Sequence, residues 1–494
     1  MNGFFIIYII GYVLKIEGFL MLAPVLCGIV YGEQEALGFF LCAAFTFLLG
    51  FVLSFKKPRN QVFYAKEGMI SVALSWIFMS LFGCIPFVLT GEIPGFTNAF
   101  FETVSGFTTT GSSILTNVEA LSHCALFWRS FTHWIGGMGV LVFILSILPI
   151  GAGTIHLMRA ESPGPQVEKI VPKMKDTSKI LYVIYTAITI AEFIVLLICG
   201  NGIFDSLTTA FATAGTGGFT IRNSGFSEYS PITQYVVAIF MLVFGVNFNV
   251  YYLICKKHLK KAVKSEEFKW YLLIVALSTI GIALNICHMF PPETAFRQAF
   301  FNVSSIITTT GFGSVDYNFF PTFSKQILLL LMFIGASAGS TGGGMKVSRI
   351  VILFKTAMNE ISRFLHPRTV KKVRFEGGIV DHPTLRAINT YLVAYLCVLV
   401  VSVLIISLDG FDMMTTISSV VTTMNNIGPG FNAIGPAGNF SGFSRLSKLV
   451  CCFDMIAGRL EIFPMLLLIS PATWYKPLKL HKSFKDALET DDLM

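Results

Sequence analysis

The stretch Phe100-Phe-Glu-Thr-Val-Ser-Gly-Phe-Thr-Thr-Thr110-Gly111 has three echoes further along the chain. They are Leu207-Thr-Thr-Ala-Phe-Ala-Thr-Ala-Gly215-Thr216-Gly217, Phe300-Phe-Asn-Val-Ser-Ser-Ile-Ile-Thr-Thr-Thr310-Gly311 and Ser418-Ser-Val-Val-Thr-Thr-Met-Asn-Asn426-Ile427-Gly428. The closing glycines stand 106, 94 and 117 residues apart, and each stretch lies between two long apolar runs. Self-similarity at such spacing marks a repeated supersecondary unit. The unit reads as helix, re-entrant half-helix with an extended loop, then helix, four times over.

Composition identifies the solvent around these units. Of 494 residues, 54% are hydrophobic and only 13% charged, and the mean hydropathy is +0.70. Soluble domains carry about 25% charged residues. A cytosolic enzyme, an acidic disordered chain and a secreted disulfide scaffold are thereby excluded, and the bilayer is the solvent. A spanning helix needs about 20 mostly apolar residues. Ten candidates are present: 4–30, 36–55, 68–90, 126–151, 180–200, 231–255, 270–289, 325–355, 387–408 and 447–475. The expected fold is an all-α polytopic membrane protein, with four pseudo-symmetric helix–pore loop–helix repeats around a central pore plus two extra N-terminal transmembrane helices. Those two helices occupy 1–55; repeats 1 to 4 occupy 68–151, 180–257, 268–356 and 385–475; a tail covers 476–494.

The 36 Lys and Arg against 28 Asp and Glu give a net charge of +8. These cations lie between the apolar stretches rather than along one amphipathic face, so nucleic acid is not an expected partner. Loops 56–68, 152–180, 256–269, 346–386 and 476–494 hold 4, 5, 6, 9 and 4 of them, whereas 31–35, 91–125, 201–230, 290–323 and 409–442 hold 0, 0, 1, 1 and 0. By the positive-inside rule both termini and the basic loops face the cytoplasm. No Lys or Arg precedes the first apolar run and no small-residue cleavage site bounded by polar sequence follows it, which reads as a retained helix rather than a signal peptide. The ten cysteines form no CxxC and lie mostly in apolar segments, as small hydrophobes rather than disulfide or zinc ligands.

The outward loops are long, poor in charge and rich in Gly, Thr, Ser and Phe. Irregular backbone at membrane depth is tolerated where it is buried in protein or lines a watery cavity. Four extended backbones around one axis can replace the hydration shell of a monovalent cation with carbonyl oxygens. Glycine suits that position because close approach and unusual φ/ψ exclude a Cβ. The half-helices before them would turn their partly negative C-terminal ends toward the cation path. The run Gly335-Ala-Ser-Ala-Gly339-Ser-Thr-Gly-Gly-Gly344 cannot stay helical, and reads as a flexible gate beneath the filter or as close helix packing through small residues. Its continuation Met345-Lys346 departs from a Walker A loop, and no strand is expected before it.

Ionisable residues within spans are functional candidates, with pairing inside the bundle as the alternative. Lys15 and Glu17 are expected to face each other or a neighbour, and Arg129 and His133 to brace a pore loop. Arg459 either faces the pore as a barrier to cations or belongs to an ion pair, with Glu461 two residues on.

Several strings resemble the bacterial TrkH/TrkG potassium-uptake family almost end to end: Arg129-Ser-Phe-Thr-His-Trp-Ile-Gly-Gly-Met-Gly139, Arg159-Ala-Glu-Ser-Pro-Gly-Pro165, Gly339-Ser-Thr-Gly-Gly-Gly-Met-Lys346, His366-Pro-Arg368, Asn425-Asn-Ile-Gly-Pro-Gly430 and Gly458-Arg-Leu-Glu-Ile-Phe463. The resemblance implies a potassium filter at Thr110, Gly111, Thr216, Gly217, Thr310, Gly311, Ile427 and Gly428. It also implies a gate at Gly335, Gly339, Gly342, Gly343 and Gly344, and a pore arginine at Arg459. Gly111, where some sodium-preferring plant relatives have serine, points to potassium. The resemblance further implies a homodimer in the bacterial inner membrane on a cytosolic ring of TrkA-like subunits that bind NAD or ATP, so nucleotide belongs to the partner and K⁺ is the permeant ion. No covalent cofactor is implied; lipid contacts are expected at the basic tail. Two other readings remain: proton- or sodium-coupled symport on the same fold, with Glu192 and Asp454 as weak coupling candidates, and a membrane-embedded enzyme. The latter lacks acid–base or metal-ligand pairs in the spans.

Overall fold

The structure, a computed structural model, describes residues 3–58, 64–139, 174–368 and 371–474. The chain opens with α1 (Gly3–Leu20), α2 (Leu22–Tyr31) and α3 (Glu35–Ser54). Repeat 1 contains α4 (Ala65–Gly83), the short α5 (Ile85–Leu89), half-helix α6 (Phe96–Phe107) and α7 (His123–Met138). Repeat 2 contains α8 (Met174–Ile198), half-helix α9 (Ile203–Gly215), α10 (Pro231–Phe244) and α11 (Phe248–Cys255), followed by α12 (Leu259–Lys264). Repeat 3 contains α13 (Glu266–Ile286), half-helix α14 (Pro292–Ile307), α15 (Thr322–Ile334) and α16 (Val347–Leu365). A two-stranded hairpin, β1 (Arg374–Phe375) and β2 (Gly378–Ile379), leads into repeat 4. There α17 (His382–Ile406), half-helix α18 (Met413–Met424), α19 (Arg445–Arg459), α20 (Phe463–Ile469) and α21 (Pro471–Trp474) close the chain.

Among the described residues six helices are long and apolar enough to cross a membrane. They are Gly3–Tyr31, Glu35–Ser54, Ala65–Leu89, Ser178–Ile198, Glu266–Ile286 and His382–Asp409, which are the two N-terminal helices and the first helix of every repeat. The apolar runs 231–255, 325–355 and 447–475 are each broken; the break in 325–355 falls at the glycine-rich run where helix was not expected, whereas those in 231–255 and 447–475 differ from the continuous spans expected there. Helices α10 and α11 meet at 90°, α15 and α16 are separated by the loop 335–346, and α19 and α20 by a turn with Glu461 and Ile462 at φ +57° and +68°. In repeat 1, α7 ends at Met138, and residues 140–151 of the expected span lie outside the described residues, as do Arg159–Pro165 and the tail 476–494. The C-terminal ends of α7 and α19 must approach the half-helices closely. A Cβ at Gly136 would collide with the Phe107 carbonyl, and one at Gly458 with that of Met424. The glycines that permit this contact also weaken the helix that carries them.

Helices α1 and α3 pack antiparallel with their backbones touching. A Cβ on Gly11 would lie 2.7 Å from the Ser54 nitrogen, and one on Gly18 2.6 Å from that of Phe47. Without a hydrophobic drive between helices in lipid, such small-residue contact is how they associate. On α13, Tyr271, Val275 and Ile282 are buried while Leu272, Leu277 and Leu284 are exposed. This apolar outer face suits lipid rather than water. Apolar side chains such as Trp76, Phe101 and Trp128 pack between helices, whereas the ends of the half-helices bury Thr108, Thr109, Thr110, Thr308, Thr309 and Thr310.

Candidate functional site

All four half-helices end in the same doubly bonded turn. In repeat 1 the Thr110 N–H donates to the Ser105 carbonyl (2.9 Å) and Thr109 N–H to that of Gly106 (3.1 Å). The same pair of bonds joins Gly217 to Ala212 and Thr216 to Thr213, Thr310 to Ser305 and Thr309 to Ile306, and Ile427 to Thr422 and Asn426 to Thr423. This is the Schellman arrangement, whose left-handed residue is ordinarily glycine. Here it is Thr109, Thr216, Thr309 and Asn426, at φ +56°, +54°, +58° and +55°. A β-branched residue in that conformation costs about 1–3 kcal/mol and persists only where the surroundings over-determine it.

Those surroundings are the other three turns. A Cβ added to Gly111 would strike the Gly217 carbonyl; one on Gly218, that of Thr310; one on Gly311, that of Ile427; and one on Gly428 would lie 2.7 Å from that of Thr110. The four segments therefore interlock in a closed ring in the order 1-2-3-4. Gly111, Gly218, Gly311 and Gly428 share φ between +80° and +97°. Repeat 2 is thus one residue out of the register expected from Thr216-Gly217. Thr216 takes the left-handed turn position of Thr109, Gly217 that of Thr110, and Gly218 that of Gly111. The false match arose because Gly215-Thr216-Gly217-Gly218 offers three glycines and a threonine, and only the turn fixes which glycine meets the neighbouring chain.

Further bonds staple adjacent loops. The Val118 N–H donates to Asn223 Oδ1 (2.7 Å), the Phe226 N–H to Gly313 and the Phe440 N–H to Ser113 (both 2.8 Å), and the Asn432 N–H to Asn318 Oδ1 (2.8 Å). Asn426 donates its side-chain amide to Thr110 Oγ1 and the Met455 carbonyl (both 2.9 Å), tying repeat 4 to repeat 1. Above the ring the loops enclose a cavity of about 220 Å³ lined by all four of these glycines. Arg129 and Arg222 also reach it. Arg129 is buried, paired with Glu102 at 2.8 Å and stacked 4.0 Å from the Phe219 ring centroid. Glu102 also accepts from Ser113 Oγ (2.9 Å) and the Ile114 N–H (2.9 Å), so one carboxylate pins the start of the loop that leaves the ring. His133 bridges repeats 1 and 2: Nδ1 faces the Gly106 carbonyl at 2.7 Å and Nε2 the Phe219 N–H at 3.3 Å. A carbonyl can only accept, so the hydrogen bonds assign the proton to Nδ1. At the start of the repeat 4 half-helix the Thr415 hydroxyl and amide hold the Asp412 carboxyl below the usual carboxylate range.

On the side of the ring away from the cavity lies the glycine-rich loop. A Cβ on Gly342 would come 2.7 Å from the Thr308 carbonyl, and one on Gly343 would collide with that of Asn425, so the loop passes directly beneath the half-helices of repeats 3 and 4. The Gly343 N–H donates to Thr309 Oγ1 (2.6 Å), coupling the loop to a left-handed threonine. Gly335, Gly339 and Gly344 have φ +73°, +66° and +77°. Arg459 is buried and donates to the Thr341 carbonyl (2.7 Å) and to those of Gly136 and Gly137 (2.5 and 2.6 Å). It therefore joins the loop to the end of α7. Glu461 pairs with Arg349 of repeat 3 at 2.6 Å. Sequence reasoning passed over Lys346, a buried cation in the same loop whose Nζ donates to the Gly342 carbonyl; its signal was an ionisable residue inside an expected span. It also passed over Glu267, buried in the first turn of α13.

The remaining candidates lie elsewhere. Lys15 lies over the Tyr12 ring (4.4 Å), and buried Glu17 packs against Gly83, where a Cβ would be 3.0 Å from its Oε1. Glu192 is buried, and Asp454 accepts from Ser402 Oγ at 2.8 Å.

The family model described as "TrkH: Cation transport protein" matches residues 34–475. The chain belongs to the TrkH family. It is 34% identical to the Trk system potassium uptake protein TrkH of Salmonella typhimurium over 477 residues, covering 94% of this chain and 98% of that one. Identity is 30% to the Trk system potassium uptake protein TrkG of Escherichia coli, over 94% and 97% of the two chains. The crystal structure of the potassium transporter TrkH from Vibrio parahaemolyticus superposes with a TM-score of 0.87 at 30% identity, covering 96% of this chain and all of that one. This TrkH-family chain is accordingly a membrane transporter and not an enzyme.

Proposed function

We propose that this transporter takes up potassium across the bacterial inner membrane through the ring formed by Thr110-Gly111, Gly217-Gly218, Thr310-Gly311 and Ile427-Gly428. The observation that carries the reading is the closed contact of four equally turned extended segments, three of them with a threonine in a left-handed turn. Carbonyls held by such over-determined turns are preorganised to substitute for an ion's water. The relatives named as potassium uptake proteins supply the ion. With the basic loops cytoplasmic, the cavity opens outward and the ion moves inward down the membrane potential.

In this reading the loop 335–346 is the gate. Arg459 and Lys346 place positive charge and backbone under the ring, which opposes passage of a cation until the loop withdraws. As components of a Trk system, the relatives imply partners; we infer a homodimer and a cytosolic nucleotide-binding subunit that moves the gate.

The test is ⁸⁶Rb⁺ flux into liposomes holding the purified protein, with excess Na⁺ or K⁺ as competitor. Wild type is expected to be blocked by K⁺ and not by Na⁺. In Gly111→Ser both should block, because a side chain at φ +80° against the Gly217 carbonyl forces repeats 1 and 2 apart. Unaltered discrimination in a folded Gly111→Ser protein would remove the filter from the ring.

A further inference from the structure

The hairpin between α16 and α17 is joined to the gate loop by two carboxylates in series. Strands β1 and β2 pair antiparallel with Phe375 opposite Gly378, leaving Glu376-Gly377 as a two-residue turn. Both turn residues have positive φ, +50° and +76°. That type I′ geometry favours Asn, Asp or Gly in its first position, and glutamate has no local reason to be there. Its carboxylate has a distant one. Glu376 Oε1 accepts from Ser265 Oγ (2.8 Å) and from the Glu267 N–H (2.9 Å), the cap and first turn of α13. An anion on a helix amino terminus is favoured by the orphan N–H groups and the helix dipole together.

Glu267 then continues the path inward. Its side chain is buried, and Oε1 accepts from the Ala338 N–H (2.7 Å) and the Ser348 N–H (3.2 Å), on either side of the glycine cluster. Lys355 of α16 fixes the hairpin from its other edge, donating to the Arg374 carbonyl (2.8 Å) and pairing with Glu266. One hairpin thus sets the first turn of α13, and that turn carries the carboxylate that spans the loop.

We propose that Glu376 is a positioning residue of the gate, holding Glu267 where it clamps both ends of the 335–346 loop, so that drawing the hairpin away releases the loop from beneath the ring. The inference rests on the reading of that loop as the gate.

Three substitutions separate positioning from stability. Glu376→Gln keeps an accepting oxygen at the same reach and is expected to stay within about twofold of wild-type basal ⁸⁶Rb⁺ flux. Glu376→Ala removes the acceptor and should raise basal flux about three- to tenfold. Glu376→Asp suits the turn better but falls one methylene short, so it should melt no lower than wild type and still leak like the alanine variant. Hydrogen exchange by mass spectrometry over 336–348 should speed up in the alanine and aspartate proteins by a similar factor, a readout independent of flux. If deletion of 339–343 raises flux while Glu376→Asp changes neither exchange nor flux, the gate reading stands and the role of Glu376 is overturned. If that deletion leaves flux unchanged, the gate reading itself fails. Reduced flux in the aspartate protein would also overturn the proposal, since the clamp would then favour the open state.

Discussion

Threonine three times in a left-handed turn is the residue-scale signature of this protein. Single contacts do not explain it, because Thr309 Oγ1 accepts from the glycine-rich loop while Thr216 Oγ1 bonds to the adjacent Gly215 carbonyl. What they share is the residue that follows, Thr110, Gly217 or Thr310, whose carbonyl meets the ring glycine of the preceding repeat (Gly428, Gly111 or Gly218), so the conformation belongs to the ring. The Arg129–Glu102 pair shows the same dependence on partners. Both side chains are buried, and removing one leaves an uncompensated charge. Glu102→Ala is expected to destabilise the folded protein by about 3–5 kcal/mol, and a double variant that also carries Arg129→Met should recover much of it. A thermal-unfolding double-mutant cycle in detergent checks this; strictly additive losses would mean that the pair is not a unit.

At the scale of elements, the half-helices are short and depend on their ends. Asp412 caps α18, accepting from the Thr415 amide (3.1 Å) and from Asn432 Nδ2 (2.8 Å). Its carboxyl lies below the ordinary carboxylate range in the folded protein, with the Thr415 hydroxyl the largest cause. The unfolded chain therefore takes up the proton first on acidification, and the cap's contribution is complete above the ordinary carboxylate pKa and fades as pH falls through the lower folded value. As the group is exposed, the effect is at most about 1 kcal/mol after screening. The stability difference between wild type and Asp412→Asn should accordingly narrow from pH 6 toward pH 3 in melting experiments. The N-terminal pair behaves differently, since α1 and α3 contribute no residue to the ring. Gly18→Leu should cost about 1–3 kcal/mol by wedging the two backbones apart, with the Na⁺ and K⁺ competition profile of the flux unchanged. A shift in that profile would tie the extra helices to selectivity.

For the whole molecule the question is what drives the ion. A monovalent cation gains about 2.3 kcal/mol per 100 mV, equivalent to roughly fiftyfold accumulation, without chemistry on the chain. Neither Glu192 nor Asp454 lines the cavity above the ring. Accumulation of ⁸⁶Rb⁺ in proteoliposomes should therefore collapse when the potential is dissipated and stay indifferent to imposed proton or sodium gradients. Accumulation against zero potential on a proton or sodium gradient would instead make the protein a symporter.

The sequence by itself determined the solvent, the repeat number and the places where helix is impossible, because hydropathy, charge asymmetry and glycine density act locally and survive without a folded structure. It located the four loops and the glycine-rich run, and it marked Arg459 as an intramembrane cation. Tertiary structure alone decided that Gly218 rather than Gly217 aligns with Gly111, since that register is set by which backbone the glycine meets across the ring. It also decided that Arg459 binds the Thr341, Gly136 and Gly137 carbonyls while Glu461 turns to Arg349. Residues two apart in sequence part company where the helix ends at Arg459. The path from Glu376 through Glu267 to Ala338 and Ser348 was unreadable for the same reason. Each of its links joins separate elements, and no local pattern records a contact that exists only after the chain has folded.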